Sequence, residues 1–327
     1  MNGRKTFRQL HPALLAAIDI VLIGLALIVF ALFDHALPRE LDTQVSEEAQ
    51  EMMERLEEAK AARAAEEAAE RERLTIGEQF TDKFTDEEPF WNGNTYTGRN
   101  LSVTFSSGQM NTSVYYLQDI YIRDIDCLRT AFGHDTYGKG FAEDAVEMAN
   151  RHGAVGAING DFYYMGSLSV IVRNGELYRD SVDPLESVLA LYEDGTMEVY
   201  ENGDFTVADL ISRGVWQTWS FGPSLLDENG KAVTEYTRKN PEANPRTVFG
   251  MVEPGHYMFI VVDGRQDGYS EGMTYIELAQ LSEQLGMTVA YNLDGGGTSR
   301  MILNGETVNV PSEERELSDI IYVTDVY

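Results

Sequence analysis

The chain has one cysteine, Cys127, which excludes an internal disulfide and any cysteine-based metal cluster. Histidine is scarce as well: His11, His35, His134, His152 and His256 show no H-x-x-x-H or similar spacing, so zinc has no sequence support. The 25 basic residues face 54 acids, and the net charge of -29 would repel nucleic acid and an anionic membrane surface. A phosphate-bearing partner is left only a local basic site. No glycine-rich loop ends in Lys-Ser/Thr and no G-x-G-x-x-G opens a helix, which argues against a nucleotide site.

Long apolar runs are also rare, with one exception. Residues 13–33, "ALLAAIDIVLIGLALIVFALF", carry a single ionisable side chain, Asp19, and as a helix rising about 1.5 Å per residue would cross a hydrocarbon core of about 30 Å. Arg4, Lys5 and Arg8 precede this run. The expectation is a cytoplasmic N-terminus over 1–12, a transmembrane helix over 13–33 and an extracytoplasmic remainder, with a cleaved signal peptide as the rival reading. Residues 34–74 are rich in Ala and Glu and predict a helical stalk. Within it Val45, Ala49, Met52, Leu56 and Ala59 alternate spacings of four and three until Arg63 interrupts. That seam fits a solvated single helix or a coiled coil joining copies of the chain.

From about residue 75 to 327 the texture changes. Alternating stretches such as "LSVTFSS", "SVYYLQDIYIRD", "SVIVRNGELYRD" and "SVLALYEDGTMEVY" read as strands and hairpins. Two helical patterns, "FAEDAVEMANRHG" and "TYIELAQLSEQLG", end in Gly153 and Gly286, and each runs into an apolar strand and a polar turn. The expected class is α+β, a mixed β-sheet core with packed helices.

The polar clusters beside those strands hold the candidate chemistry: "NGDFY" at 159–163, "SFGPSL" at 220–225, "NPRT" at 244–247, "VVDGRQDGYS" at 261–270 and "NLDGGGTSRM" at 292–301. They supply the acids Asp161, Asp263 and Asp294, the cations Arg246 and Arg265, and the polar or glycine positions Asn159, Gly160, Asn292, Gly295, Gly296, Gly297, Thr298 and Ser299. Three consecutive glycines point to a sharp turn or a close approach by another group. The oxygen donors Asp161, Asp263, Asp294 and Asn159 would suit a divalent cation such as calcium.

Taken in order, "INGDFY", "FGPSL", "NPRT", "DGR", "GMTYIELA", "NLDGGGTSRM" and "ERELSDIIYV" resemble the phosphodiester glycosidase family over residues 140 to 325. Thr298 stands where that family usually has the first of two serines. The resemblance implies a hydrolase acting on a sugar phosphodiester. Bacterial members often sit behind a membrane anchor and are associated with surface polysaccharide.

That chemistry needs a cation on the departing phosphate, a carboxylate for the oxocarbenium-like centre and donors for the sugar. Arg246 is the first choice for the phosphate and Arg265 the second, because guanidinium pairs with phosphate oxygens. Asp294 is the expected nucleophile or base with Asp161 as its partner and Asp263 as a further acid; which acid does which job stays open. Asn159, Thr298 and Ser299 would bind hydroxyls or phosphate oxygens, Gly160 and Asn292 are further substrate-binding positions, and the N–H groups of Gly295, Gly296 and Gly297 would point at an anion. A metal-dependent phosphodiesterase and a non-catalytic saccharide-binding module are the alternatives.

Overall fold

The computed structural model describes residues 39–40, 45–56, 76–164, 169–236 and 242–326. Two sheets form the body. One runs Val289–Asn292, Arg246–Glu253, His256–Val262, Ser113–Ile122, Leu101–Met110, Thr95–Thr97 and Phe90–Asn92 across its width. The other runs Glu306–Thr307, Met301–Leu303, Gly156–Asn159, Asp319–Val323 and Leu128–Phe132. A smaller sheet of Met197–Tyr200, Val188–Tyr192 and Val215–Trp219 closes one side.

The core lies where these sheets face each other. Ile120, Phe249 and Phe259 from the first meet Ile158, Ile321 and Val323 from the second and Leu189 and Trp219 from the third. The helix Tyr275–Gln284 covers the outer face of the first sheet through Leu278, Ala279 and Leu281. The helix Ala145–Arg151 covers the second through Met148 and Ala149. Strand Arg246–Glu253 is therefore buried on both faces, which explains its unbroken apolar run.

Local rules account for these elements. Asp144 caps the first helix by accepting from the N–H groups of Val146 and Glu147, and Thr274 caps the second in a reciprocal box with Glu277. Gly153 and Gly286 end them with positive φ, as their positions in the sequence predict. In "VRNGEL", Asn174 and Gly175 both take positive φ and join Ile171–Arg173 to Glu176–Arg179 as a tight hairpin.

Two expectations are overturned. The fold is mostly β with few helices, and every strand pairing among the described residues is antiparallel, so an α+β class with a mixed sheet does not apply. Short hairpin turns join neighbouring strands in pairs, and each helix returns the chain to a sheet without imposing parallel order. Among the described residues no helix is long and apolar enough to cross a membrane, so the single-pass topology is not supported; residues 13–33 themselves lie outside the described residues. In the segment expected to be a stalk, residues 47–56 are helical. The seam residues Val45, Ala49, Met52 and Leu56 pack on the domain's own Val172, Leu177 and Tyr192. Their apolar stripe is covered within the chain.

Candidate active site

Register brings the polar strand ends together. Asn159 ends its strand opposite Ile320, so Gly160 and Asp319 come next to each other, with the Gly160 N–H donating to the Asp319 carbonyl at 3.0 Å. A side chain on Gly160 would overlap the Asp319 carboxylate. Asn159 links the two main sheets: its Nδ2 donates to the Asp294 carbonyl at 2.7 Å, while its Oδ1 accepts from the Thr247 hydroxyl at 2.7 Å and the Arg300 N–H at 3.1 Å.

A cavity of about 180 Å³ opens at this junction. Asn159, Gly160, Asp294, Thr298, Ser318 and Asp319 line its base, and Phe162, Tyr164 and Arg315 stand around it. Asp294 is half-buried; its Oδ1 accepts from the Gly295 N–H and its Oδ2 from the Thr298 hydroxyl, both at 2.9 Å. Burial raises its pKa, against the lowering effect of Thr298, Gly295 and the Arg315 charge. Asp319 is 1% exposed and accepts from the Ser318 hydroxyl at 2.7 Å and from the Asp161 and Phe162 N–H groups at 3.3 Å. Burial, and then the charge of Asp161, raise its pKa to about 7. Arg315 is exposed and has no ion pair or hydrogen bond among the described residues. The Tyr164 phenol feels the charges of Asp319, Arg315 and Asp294 together.

The other expected residues are placed differently. Asp161 sits behind the cavity, 3% exposed, with Oδ1 2.8 Å from Arg173 Nη2 and Oδ2 accepting from the Ser220 N–H at 2.7 Å. Arg246 is 6% exposed and does not line the cavity. Its guanidinium donates to the carbonyls of Met273 at 3.0 Å and Glu242 at 2.9 Å and stacks 4.0 Å from the Tyr275 ring centre. Asp263 is buried, and Asn309 Nδ2, the Val310 N–H and the Tyr269 hydroxyl fill its oxygens. It anchors the start of the loop that carries Arg315. Arg265 lies over the glycine loop, bonded to Asn244 Oδ1 at 3.0 Å and 3.5 Å from Glu313. Asn292 donates to the Gly222 and Leu293 carbonyls inside the fold, and Ser299 is 1% exposed with its hydroxyl unpaired among the described residues.

Backbone crowding requires glycine at 295 and a positive φ of 72° favours it at 296, while the side-chain ends facing 296 and 297 are flexible. A Cβ on Gly295 would lie 2.8 Å from the Pro245 carbonyl, one on Gly296 3.0 Å from Arg265 Nη2, and one on Gly297 2.6 Å from a Glu313 oxygen. The amides of Gly295 and Gly296 are taken by Asp294 and the Pro245 carbonyl, so they do not form an anion cradle.

Among the described residues no three His, Cys, Asp or Glu side chains are grouped to hold a metal ion. Asp161, Asp263 and Asp294, each suited to calcium, belong to separate hydrogen-bond networks. Gly268, Ser270 and Gly272 match a hydrolase elbow in spacing, yet Ser270 is fully buried and its hydroxyl donates to the Asp263 carbonyl. A larger groove of about 890 Å³ elsewhere is bordered by Glu198, Glu201, Asp227 and Glu235, a field that disfavours phosphate.

Arg315 and Asp319 were not singled out by the sequence reading, although both lie in "ERELSDIIYV". The available signal is an acid that opens an otherwise apolar strand.

Comparison with known proteins identifies the family. The profile of the phosphodiester glycosidase family matches residues 152–324, more than half of the chain. The SPbeta prophage-derived uncharacterized protein YomE of Bacillus subtilis (strain 168) is 28% identical over 198 residues, 58% of this chain and 30% of that protein. The N-acetylglucosamine-1-phosphodiester alpha-N-acetylglucosaminidase of Bos taurus is 26% identical over 184 residues, 51% of this chain and 34% of that protein. The chain thus spans about a third of the length of these curated relatives. The catalytic domain of the zebrafish N-acetylglucosamine-1-phosphodiester alpha-N-acetylglucosaminidase superposes with a TM-score of 0.57 at 19% identity, covering 73% of this chain and 88% of that one. A hypothetical protein from Synechocystis gives 0.52 at 15%, covering 73% and 64%. At those identities the structures share a fold.

Proposed function

This chain belongs to the phosphodiester glycosidase family, and from that premise we propose that it hydrolyses the bond between an anomeric carbon and a phosphodiester oxygen, with the sugar in the cavity and the phosphate at its mouth. One observation supports this most directly. Asp294 and Asp319, two carboxyls with raised pKa, share a cavity with the guanidinium of Arg315, which is unpaired among the described residues.

The leaving group is a phosphomonoester, whose second pKa of about 6 makes it a far better leaving group than a sugar alcohol. Arg315 takes the role expected of Arg246 and pairs with the departing phosphate. Asp294, oriented by Gly295 and Thr298, serves the anomeric centre as nucleophile or base. Asp319, whose proton is retained by burial and the Asp161 charge, gives it to the phosphate oxygen as the bond breaks. Water supplies a hydroxyl to the anomeric carbon and a proton to restore the acid. Phe162 and Tyr164 flank the sugar.

The names of the bovine and mouse relatives make an N-acetylglucosamine 1-phosphodiester the first substrate to try. The full chain is incubated with the methyl phosphodiester of N-acetylglucosamine, and with its glucose and mannose counterparts, in oxygen-18 water. Labelled free sugar is the expected product, lost in Asp294→Asn. Label in the phosphate would mean P–O cleavage, and no turnover of any of the three would refute the reading.

A further inference from the structure

Behind the cavity lies a buried cation that the proposed reaction does not use. Arg173, 1% exposed, ends the strand Ile171–Arg173 just before the Asn174-Gly175 turn. Its Nη1 donates to the carbonyls of Thr218 and Val172, which fixes the guanidinium against the third sheet, 5.7 Å from the Trp219 ring centre. Its Nη2 faces two carboxyl groups. Asp161 Oδ1 is 2.8 Å away and Asp319 Oδ2 is 3.9 Å away.

The two acids are held unequally. Asp161 accepts from Arg173 and, at 2.7 Å, from the Ser220 N–H, so each oxygen has a short bond suited to an anion and neither is offered to a metal. Asp319 accepts from the Asp161 and Phe162 N–H groups only at 3.3 Å. Its one short contact, 2.7 Å, is to the Ser318 hydroxyl, and a hydroxyl can accept as well as donate, so that contact also suits a protonated carboxyl. The surrounding groups do not reverse this bias. Buried Arg179 donates to the Ser169 and Tyr163 carbonyls, and its charge acts on Asp161. Burial pushes up the phenols of Tyr163 and Tyr164, which feel the Asp319 charge, and that of Tyr291, which feels Asp161. Of the strands flanking Asp319, one places Phe132 opposite it and the other leads into Gly160, so neither sets a charge there. Asp294, Arg315 and Glu316 share its cavity.

We propose that Arg173 is a positioning residue for the proton: it holds Asp161 as the anion and so leaves the proton of the pair on Asp319, the acid that lines the cavity. Arg173 touches no substrate and acts only through the two carboxyls. Its consequence for catalysis rests on the reaction proposed above, whereas the placement of the proton does not. Two carboxyls this close ionise as a pair, and the second proton leaves at higher pH than the first. Removing the cation makes that second step harder. Removing the Asp161 charge while the cation stays makes it easier.

The test follows the Asp319 carboxyl of the full chain by carbon-13 NMR with labelled aspartate, the resonance assigned by its loss in Asp319→Asn, beside pH–rate profiles on the sugar phosphodiesters above. In the unmodified chain it should titrate at about 7. Asp161→Asn should lower that midpoint by about one unit or more, and Arg173→Met should raise it by about one unit or more. Arg173→Lys, which keeps the charge, should stay near the original value. The alkaline limb of the rate should move with the midpoint, whereas a role in packing alone would change stability without these opposite shifts. Arg173→Met leaves Asp161 buried without its partner and can fail to fold. The double variant Asp161→Asn with Arg173→Met strands no charge, and its midpoint should lie above that of Asp161→Asn alone. An Asp319 midpoint in the usual carboxylate range, or a midpoint unmoved by removing Arg173 in either background, would overturn the proposal. The stated shifts without turnover of any substrate would instead overturn the reaction and leave the placement of the proton standing.

Discussion

Replacing Asp319 by Asn should make the protein inactive and, at neutral to mildly alkaline pH, more stable. The wild-type carboxyl is 1% exposed and has its pKa raised from 3.8 to about 7 by burial and the neighbouring Asp161 charge. A raised folded-state value means that, as pH climbs, the unfolded chain releases this proton first. Between about pH 4 and pH 7 wild-type stability therefore falls by about 1.4 kcal/mol per pH unit, up to about 4 kcal/mol in all. Asparagine has no proton to release and escapes the penalty. It also keeps only one acceptor where the carboxylate takes the Asp161 and Phe162 N–H groups and the Ser318 hydroxyl. The displaced donor costs about 1–3 kcal/mol at every pH. Urea unfolding should thus find the variant less stable by that amount below about pH 4, and more stable by about 1–3 kcal/mol near pH 8. A stability difference that does not change with pH, or one of opposite slope, would refute the claim that Asp319 retains its proton in the fold.

Arg315→Ala should lower kcat/KM about 10- to 100-fold by removing a charge-assisted phosphate contact, with stability changed by less than about 0.5 kcal/mol because the side chain is exposed; unchanged kinetics would remove Arg315 from the site. The rate should fall on the acid side as Asp294 protonates, at a pH above the usual carboxylate range, and on the alkaline side as Asp319 loses its proton at about pH 7. A pH–rate profile with Asp319→Asn as control checks both limbs. Arg246→Ala should cost about 2–5 kcal/mol in urea unfolding, since it strands the Met273 and Glu242 carbonyls, while the folded fraction keeps wild-type kcat/KM; a stable variant with raised KM would return Arg246 to the phosphate. Gly160→Ala should displace the Asp319 carboxylate, with loss of activity and about 1–3 kcal/mol of stability. Wild-type turnover in that variant would show that the position of Asp319 is irrelevant.

Much of the local structure was legible without coordinates. Alternation marked the long strands Leu101–Met110 and Ser113–Ile122, Asn174-Gly175 marked a hairpin, and Gly153 and Gly286 marked helix ends. These are short-range effects of side-chain period and backbone sterics, which a residue and its near neighbours decide. The resemblance to phosphodiester glycosidases was likewise carried by motifs in order; of the residues it singled out, the fold brings Asp294, Asn159, Gly160 and Thr298 onto one cavity and leaves Asp161 and Arg246 off it. The sheet arrangement was not legible in the same way, because helix-then-strand patterns fit parallel and antiparallel pairing alike.

Sequence by itself determined which strings are strands, where helices begin and stop, and the family. Only tertiary structure decided which charges are available to a substrate. Asp161 and Arg246 look as reactive in the string as Asp294 and Arg315, but folding commits the first to Arg173 and the second to two carbonyls and a tyrosine ring. The physical reason is that burial obliges a charged group to find partners inside the protein. Which groups are buried is decided by contacts between segments more than 100 residues apart, such as Asn159 with Asp294, and local sequence does not encode them.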